Sequence, residues 1–406
     1  MTEFLLFLIF LAPTIQYRVE LRAFSFAVME PVVLLASGIL ILRAILRKET
    51  IQIPRTWPEI GLIALVAWAL LIRPWSQDWK HGLSDIRDWV IPVVTFLTLR
   101  MTVRQGWRKA IGMLIAVIFL TAAVGVYQEA TDSFRPFKSP EASMKLAPGS
   151  LIMGGSGVAL PFAVGFFAHP NSMGLFLCAG FILTLAWATH RRRYEGWLAL
   201  GVIGLALIWT YAKASYIVLV VELGAYFLLR WIRSLKVLAG IALISIPLAA
   251  VLLDKLPSLL LSTLATRYAL WTTAVSLLVK SPHILLFGNG MDPFGEIAFY
   301  FQPHNTYIYI LLDFGLLGLG LVLGVVASIA LAGWRDGREG LWERDRILQA
   351  AWIAALSFFA VGMAESVLLG IELRMIVLTF LACYLGLRQE LRGVGPARPP
   401  APVGIT

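Results

Sequence analysis

The sequence predicts an all-α polytopic membrane protein with about twelve transmembrane helices, and three observations lead to this fold class. First, hydrophobic residues make up 59% of the 406 residues and charged residues only 14%, whereas a typical soluble domain carries about 25% charged residues. Second, the mean hydropathy is +0.80, so lipid must be the solvent for most of this apolar surface. Third, basic residues cluster in short connections between apolar runs, as the positive-inside rule requires.

Twelve apolar runs have roughly the length of a membrane-spanning helix. Several are short, so the helices they form must tilt, pair or continue past these limits. No basic residue precedes the first run and no small-x-small cleavage site follows it, so we expect a helix there rather than a signal peptide. The predicted spans are Phe4–Ile15, Phe26–Leu46, Pro58–Ile72, Ile86–Leu99, Ala110–Tyr127, Leu160–Thr189, Trp197–Thr210, Ser215–Leu229, Leu235–Leu253, Asn305–Gly333, Ile347–Leu369 and Leu373–Leu387.

The distribution of Lys and Arg predicts that both termini lie in the cytoplasm. Clusters such as 191–193 and 335–346 then fall in inside connections, while the longer outside loops hold fewer basic residues. This topology accounts for the net charge of +10, and no basic helix or aromatic-basic sheet pattern indicates a nucleic-acid partner. Residues 1–391 are expected to form a single transmembrane domain, and the Pro- and Gly-rich tail 392–406 a disordered cytoplasmic segment.

Two outside loops are long. The first, 129–159, carries four glycines but lacks the Gly-Lys-Ser/Thr ending of a phosphate-binding loop, so we expect a flexible or re-entrant connector. The second, 254–303, contains an amphipathic segment, Ser258–Lys280, with Tyr268, Trp271 and Leu278 suited to the membrane interface. A polar segment of this length outside the lipid predicts a lid over a reaction site.

Two outward-facing cations are candidates for binding an anionic substrate. No nucleotide-binding motif is present, and ATP cannot be assumed outside the cytoplasm, so the substrate must bring its own energy, as a lipid-linked pyrophosphate does. Lys213 lies in a very short connection, where it either snorkels to the interface or contacts phosphate. Arg267 lies one helical turn before Trp271, where it either makes a cation–π contact or clamps the pyrophosphate.

His304 is the candidate catalytic residue. It follows a proline, which fixes the local backbone, and leads directly into a membrane helix. An imidazole at this position can take a proton from a sugar hydroxyl or orient it; the alternative is a structural histidine. Asn305 and Thr306 are expected to cap the start of the helix.

Asn305 and three further residues are candidates for lining the cavity. Tyr307 follows the cap, and Asn171 belongs to a His-Pro-Asn sequence that interrupts a span near the outer face. Asp313 lies nine residues after His304, hence ~13 Å deeper, too deep to assist it directly, although a buried acid in a membrane helix is seldom idle.

Other polar and small residues in the spans are assigned to helix packing or have no assigned role. Four glycines in the helix after His304 are expected to serve helix packing: Gly315, Gly318, Gly320 and Gly324. Three acids within spans have no assigned role: Glu30, Glu222 and Glu365. His304 has no acidic or histidine neighbour at ligand spacing and no Asp-x-Asp occurs, so a mechanism without a metal or other cofactor is the default.

Several short segments, most of them in the second half of the chain, form a recognisable set: Arg267-Tyr-Ala-Leu-Trp271, Pro282 with Gly288-Asn-Gly290, His304-Asn-Thr-Tyr307 and Leu311-Leu-Asp-Phe-Gly-Leu-Leu-Gly318, and more weakly Asn171 and 210–215. With these segments the chain resembles the O-antigen ligase and O-antigen polymerase superfamily of bacterial membrane glycosyltransferases. The resemblance implies metal-independent transfer of a glycan from undecaprenyl pyrophosphate at the periplasmic face of the bacterial inner membrane. It also implies the fold of a metal-independent membrane glycosyltransferase of the GT-C-like type.

The resemblance assigns roles to three residues. The superfamily's essential histidine and loop arginine match His304 and Arg267. A second superfamily arginine falls on Lys213, which keeps the charge but loses the planar fork of a guanidinium.

The sequence and the resemblance together predict an inverting ligase that moves a glycan from undecaprenyl pyrophosphate to a hydroxyl of a glycolipid or glycan acceptor. A repeat-unit polymerase is the alternative within the class, because it would use the same donor site. A lipid or solute transporter is the alternative from another class, and it would show symmetric halves and broken mid-membrane helices, which are not visible in the sequence. A non-catalytic scaffold for envelope synthesis is a third alternative.

Overall fold

The structure is a computed structural model that describes residues 2–15, 18–21, 24–27, 29–49, 55–72, 82–103, 106–131, 165–167, 170–191, 194–229, 258–289, 305–363 and 371–393. Within these segments the chain is helical apart from one antiparallel hairpin, in which β1 (Arg18–Leu21) pairs with β2 (Phe24–Ala27). The hairpin corrects the second predicted span, which was placed from Phe26, because β2 ends at Ala27 and the helix begins at Met29.

The helices follow the apolar runs. In chain order they are α1 (Thr2–Leu11, followed by a 3-10 turn, Ala12–Thr14), α2 (Met29–Leu46), α3 (Trp57–Leu71), α4 (Gly82–Thr102), α5 (Trp107–Thr131), α6 (Pro170–Arg191), α7 (Tyr194–Trp209), α8 (Lys213–Leu228), α9 (Ser258–Lys280), α10 (Pro282–Phe287), α11 (Thr306–Arg338), α12 (Leu341–Arg344), α13 (Arg346–Val361) and α14 (Ile371–Leu391).

Eleven of the twelve predicted spans overlap a described helix, and the number of helices that cross a membrane stays a prediction. The predicted span Leu235–Leu253 lies outside the described residues, as do residues 160–164 of the span placed from Leu160, in which the described helix begins at Pro170. By length and composition α2, α5, α6 and α11 are able to cross a membrane, and α1, α3, α7, α8 and α13 are shorter apolar helices. The helices therefore fit a multi-pass membrane protein.

The centre of the bundle is formed by the last two long helices. In α14 nearly every side chain from Ile371 to Leu387 is buried, and this helix packs on α4, α5 and α13. The helix α13 packs in turn on α6, α8, α11 and α14. Packing is close enough that a Cβ added to Gly386 would overlap the Trp107 ring, and one added to Gly333 would overlap Trp352. These helices form the scaffold to which the candidate site is attached.

One end of the bundle is held by ion pairs between the helices. Arg100 at the end of α4 donates to Glu59 at 2.8 Å and to Gln389 at 2.8 Å, which links α3, α4 and α14. Arg108 donates to the buried carboxylate of Asp345 at 2.6 Å, which joins the start of α5 to the start of α13. These arginines belong to the connections that the sequence places in the cytoplasm.

A second group of ion pairs and hydrogen bonds, centred on Asp336, joins α11 to α14 at the same end. The fully buried carboxylate of Asp336 accepts from Tyr384 Oη at 2.8 Å, Arg388 Nε at 2.9 Å and Arg392 at 2.8 Å. Removing one partner of a buried charge costs several kcal/mol, on the order of 3–5. The interactions of Asp336 therefore fix the C-terminal end of α11. The candidate site lies at the other end of the same helix.

Candidate functional site

The starts of α6 and α8 meet at the end of the bundle away from the ion pairs. A Cβ added to Gly174 of α6 would overlap Ser215 Oγ of α8 and lie 3.0 Å from the Ala212 Cβ. Asn171 lies one turn before Gly174, and Lys213 lies between Ala212 and Ser215. The close contact at Gly174 therefore brings two predicted site residues, Asn171 and Lys213, to neighbouring helix starts.

The connection before α8 is strained and leaves its helix start uncapped. Tyr211 adopts a left-handed backbone with φ of +53°, which is rare for an aromatic residue. Ala212 precedes the helix and provides no side-chain cap, and Lys213 is the first helical residue. An uncapped helix start offers backbone N–H groups and the positive end of the helix dipole to an anion. The phosphate contact predicted at Lys213 therefore lies at a helix start whose backbone N–H groups are able to bind an anion.

The start of α11 is anchored to the end of α13. The Asn305 side chain accepts from Tyr307 N at 3.0 Å and Ile308 N at 3.1 Å, which confirms the predicted cap, and its amide donates to Met363 O at 2.8 Å. Thr306 N donates to Gly362 O at 2.7 Å, and the Tyr307 hydroxyl donates to Phe359 O at 2.7 Å. The polar groups of Asn305 and Tyr307 thus hold the helix start in place. His304, the preceding residue, lies outside the described residues.

The helix α11 is broken at Gly315. This glycine has φ of 66° and ψ of −170°, so the helix divides into an outer half, 306–314, and an inner half, 316–338. The outer half is ~14 Å long at 1.5 Å per residue. The break corrects the reading that no mid-membrane helix is interrupted. An apolar run with several glycines gives no sign of it, because glycine is common in unbroken membrane helices.

Two long-range hydrogen bonds satisfy carbonyl groups at the break. Asn289 N donates to Leu312 O at 2.9 Å, and Trp68 Nε1 of α3 donates to Phe314 O at 2.8 Å. A buried carbonyl without a partner would cost roughly 1–3 kcal/mol, so these two donors make the interruption tolerable inside the bundle.

The turn after α10 docks directly into the break. Gly288 (φ +85°) and Gly315 (φ +66°) face each other so closely that a Cβ on Gly288 would overlap Asp313 O, and one on Gly315 would overlap Leu286 O. Both positions need a left-handed backbone and contact at the backbone level, which glycine alone provides without strain. We call this contact between Gly288–Asn289 and the break the latch.

The other glycines of α11 divide into two kinds. A Cβ added to Gly318 would overlap Phe314 and lie 3.5 Å from Trp68, as predicted for a packing glycine. Gly320 and Gly324 have no atom of the described residues within 4 Å of an added Cβ, so the packing prediction finds no partner there. Gly315 acts through its backbone conformation rather than through packing.

The amphipathic segment forms α9 with the predicted bounds, Ser258–Lys280. Its apolar residues Ala274 and Leu278 are buried in a small cluster with Leu312 of the outer half of α11. Leu278 therefore faces α11 and not the membrane interface, which corrects its predicted role. Arg267 and Trp271 lie half-buried on the same helix. The helix that carries Arg267 is thus packed against the half-helix that begins immediately after His304–Asn305.

Asp313 is fully buried in the turn before the break. Its carbonyl lies against Gly288, so this acid belongs to the latch. The neighbouring Phe314 ring packs edge-on against Trp89 of α4, with centroids 5.4 Å apart.

A buried arginine near the break was missed by sequence reasoning. The guanidinium of Arg374, in the first turn of α14, lies 4.2 Å from the centroid of the Trp89 ring, and the residue is only 3% exposed. An arginine inside an apolar span was the signal that could have found it. The structure also gives the unassigned Glu30 a partner, because its carboxylate lies 3.2 Å from Arg87 Nε.

The predicted site residues therefore occupy one end of the bundle, on α6, α8, α9 and the outer half of α11. The side chain of Lys213 and the whole of His304 are outside what the structure describes. The sequence matches no protein-family model, and no curated protein matches it.

Proposed function

We propose that this chain is an inverting membrane glycosyltransferase that moves a glycan from a polyprenyl pyrophosphate, undecaprenyl pyrophosphate in bacteria, to an acceptor sugar hydroxyl. The observation that best supports this proposal is the packing of α9, which carries Arg267, on the half of α11 that directly follows His304–Asn305. Through this packing, the helix that carries a cation able to bind phosphate lies against the helix that follows a residue able to accept a proton.

The donor pyrophosphate binds to cations and backbone N–H groups at this end of the bundle. The uncapped start of α8 and its first residue, Lys213, supply one contact. Arg267 supplies a second, bidentate contact from α9. Pyrophosphate is a good leaving group, so stabilisation of its developing charge carries much of the catalysis.

His304 acts on the acceptor. Its imidazole nitrogen takes the proton of the acceptor hydroxyl while the hydroxyl oxygen attacks the anomeric carbon. The bond from that carbon to the pyrophosphate oxygen breaks, and the electron pair leaves with the pyrophosphate, which inverts the anomeric centre.

The latch and the Asn305 cap each fix one end of the loop that carries His304. Segment 290–304 begins after Asn289, which is bonded to Leu312, and ends before Asn305, which caps α11. Leu312 lies seven residues after Asn305, so the two anchors are ~10 Å apart along the helix axis. Both ends of this loop are therefore held on the short half-helix against which α9 packs.

A transporter is the second candidate, and the break in α11 favours it, because interrupted helices near the membrane centre are typical of substrate sites in transporters. In those proteins the freed carbonyls coordinate ions. Here Leu312 O and Phe314 O already accept hydrogen bonds from Asn289 and Trp68. The bonded carbonyls favour a structural role for the break.

One pair of experiments distinguishes these functions. Purified protein is incubated with a polyprenyl-pyrophosphate glycan and a glycolipid acceptor, and product is followed by mass spectrometry; the same preparation is tested in vesicles for transbilayer movement of a fluorescent polyprenyl pyrophosphate. We expect product and no movement. Movement without product would replace the transferase with the transporter. In cells lacking the gene, full-length glycan retained on the lipid carrier indicates a ligase, and single repeats indicate a polymerase.

A further inference from the structure

Glu222 is a buried carboxyl group that the proposed reaction does not use. It lies in α8, nine residues after Lys213, and is 1% exposed. Neither carboxylate oxygen has a hydrogen-bond partner in the described structure. Burying an unpaired carboxylate in an apolar interior is very unfavourable, and ionisable residues in membrane helices are a default indication of function.

Within the described segments, the groups that face Glu222 from the neighbouring helices are polar but uncharged. From α13 the Ser357 hydroxyl lies beside it, but this hydroxyl donates to Ala354 O at 3.0 Å. From α6 the facing titratable group is the Cys178 thiol, which donates to Ser215 O at 3.0 Å. Neither Ser357 nor Cys178 carries a positive charge, and each donates its hydrogen to a backbone carbonyl group.

The buried oxygens Thr184 Oγ1 and Ser215 Oγ, on the same helices, also lack partners in the described structure. A buried unsatisfied oxygen needs an explanation, such as an ion, a water or a functional role. A metal cation would need several of these oxygens in contact with it at once. Ser215 and Glu222 lie seven residues apart on α8, so their Cα atoms are ~10.5 Å apart along the axis. This separation makes it difficult for one cation to contact both side chains, whereas a single proton needs only the carboxyl group.

We propose that Glu222 is a proton-binding site in the core of the bundle. It carries a proton at neutral pH while α8 is packed against α6 and α13, and it loses this proton only when α8 separates from them. The ligand is the proton itself, and the inference stands apart from the proposed transferase function, because neither donor binding nor transfer involves Glu222.

Infrared spectroscopy of the full-length protein tests the protonation state directly. Glu222→Gln at pH 7 should remove one carboxylic-acid carbonyl band and no carboxylate bands. Glu222→Leu should remove the same band, which guards against a misfolded Gln variant. The matched control, Glu195→Gln at the exposed start of α7, should remove carboxylate bands. Loss of carboxylate bands from the Glu222 variants would overturn the proposal.

The same spectra separate a proton from a cation. If sodium chloride, but not choline chloride, converts the Glu222 band from acid to carboxylate, the site binds a monovalent cation and the proposal is wrong. We expect the acid band to persist in both salts.

Unfolding measurements provide the second readout. The native state holds one proton that an exposed glutamate releases near pH ~4.3, so the native state is destabilised as pH rises above this value. The unfolding equilibrium constant of the wild type should rise about tenfold per pH unit relative to Glu222→Gln between about pH 5.5 and 7. Parallel curves for the two proteins would contradict a native-state proton at this site.

Discussion

The backbone N–H of Asn289 donates to Leu312 O at 2.9 Å, inside the break of α11. This bond joins the turn after α10 to a helix whose own hydrogen bonding is interrupted at Gly315. The opposed backbones of Gly288 and Gly315 leave no space for a side chain. Since the loop bearing His304 starts after Asn289 and ends at Asn305, the latch links the fold of the bundle to the geometry of the proposed site.

The first prediction concerns the latch. Gly315→Ala and Gly288→Ala each force a left-handed backbone on an L-residue and push a Cβ into a neighbouring backbone, so each should destabilise the protein by at least ~1–3 kcal/mol. The measurement is the thermal unfolding midpoint in detergent. Gly320→Ala, in the same helix with no described atom within 4 Å of its Cβ, is the matched control and should be neutral or stabilising. An equal decrease of the unfolding midpoint in all three variants would show that the latch contributes no more to stability than the rest of α11.

Features that depend on residues close together in the sequence were predictable, and features that depend on residues far apart in the sequence were not. The α9 segment, Ser258–Lys280, and the Asn305 cap were predictable because periodicity and capping are local. The break was not, because Trp68 lies 246 positions before Phe314 in the sequence. Likewise, nothing near Glu30 indicates that Arg87 pairs with it.

The second prediction concerns topology. Both native cysteines, Cys178 and Cys383, are buried, so an impermeant thiol reagent should report only on introduced cysteines. In intact cells, cysteines near Arg192 and Arg338 should resist the reagent, and one near Glu296 should react, because the positive-inside rule predicts that the basic connections face the cytoplasm. Labelling at the first two positions would invert the orientation and remove the outward-facing site.

The third prediction concerns the start of α8. Lys213→Ala removes a positive charge from an uncapped helix start, and donor binding should weaken about tenfold or more, since a charge-assisted hydrogen bond contributes ~1.5–3 kcal/mol. Lys213→Arg should retain binding because the charge is kept. Titration with a fluorescent polyprenyl pyrophosphate measures the affinity. Full binding by the Ala variant would exclude Lys213 from the donor site.

The fourth prediction concerns the form of the cation on α9. Arg267→Ala should reduce transfer by at least about tenfold, and Arg267→Lys should recover little, since an ammonium cannot reproduce bidentate contact with phosphate oxygens. Tyr268→Ala, the next residue on α9 with its side chain 67% exposed, is the control and should retain transfer. Equal activity of the Lys variant and the wild type would reduce Arg267 to a simple point charge.

The central claim is that donor binding and acceptor activation belong to different residues at one end of the bundle. The measurement that tests it most directly is donor affinity and single-turnover transfer on the same purified His304→Ala and Arg267→Ala proteins. His304→Ala should keep donor affinity and lose ~10²–10⁴-fold in the chemical step, while Arg267→Ala should lose donor affinity. Loss of donor binding in His304→Ala with normal binding in Arg267→Ala would reverse the roles. Unchanged transfer in both folded variants would contradict the proposed active site.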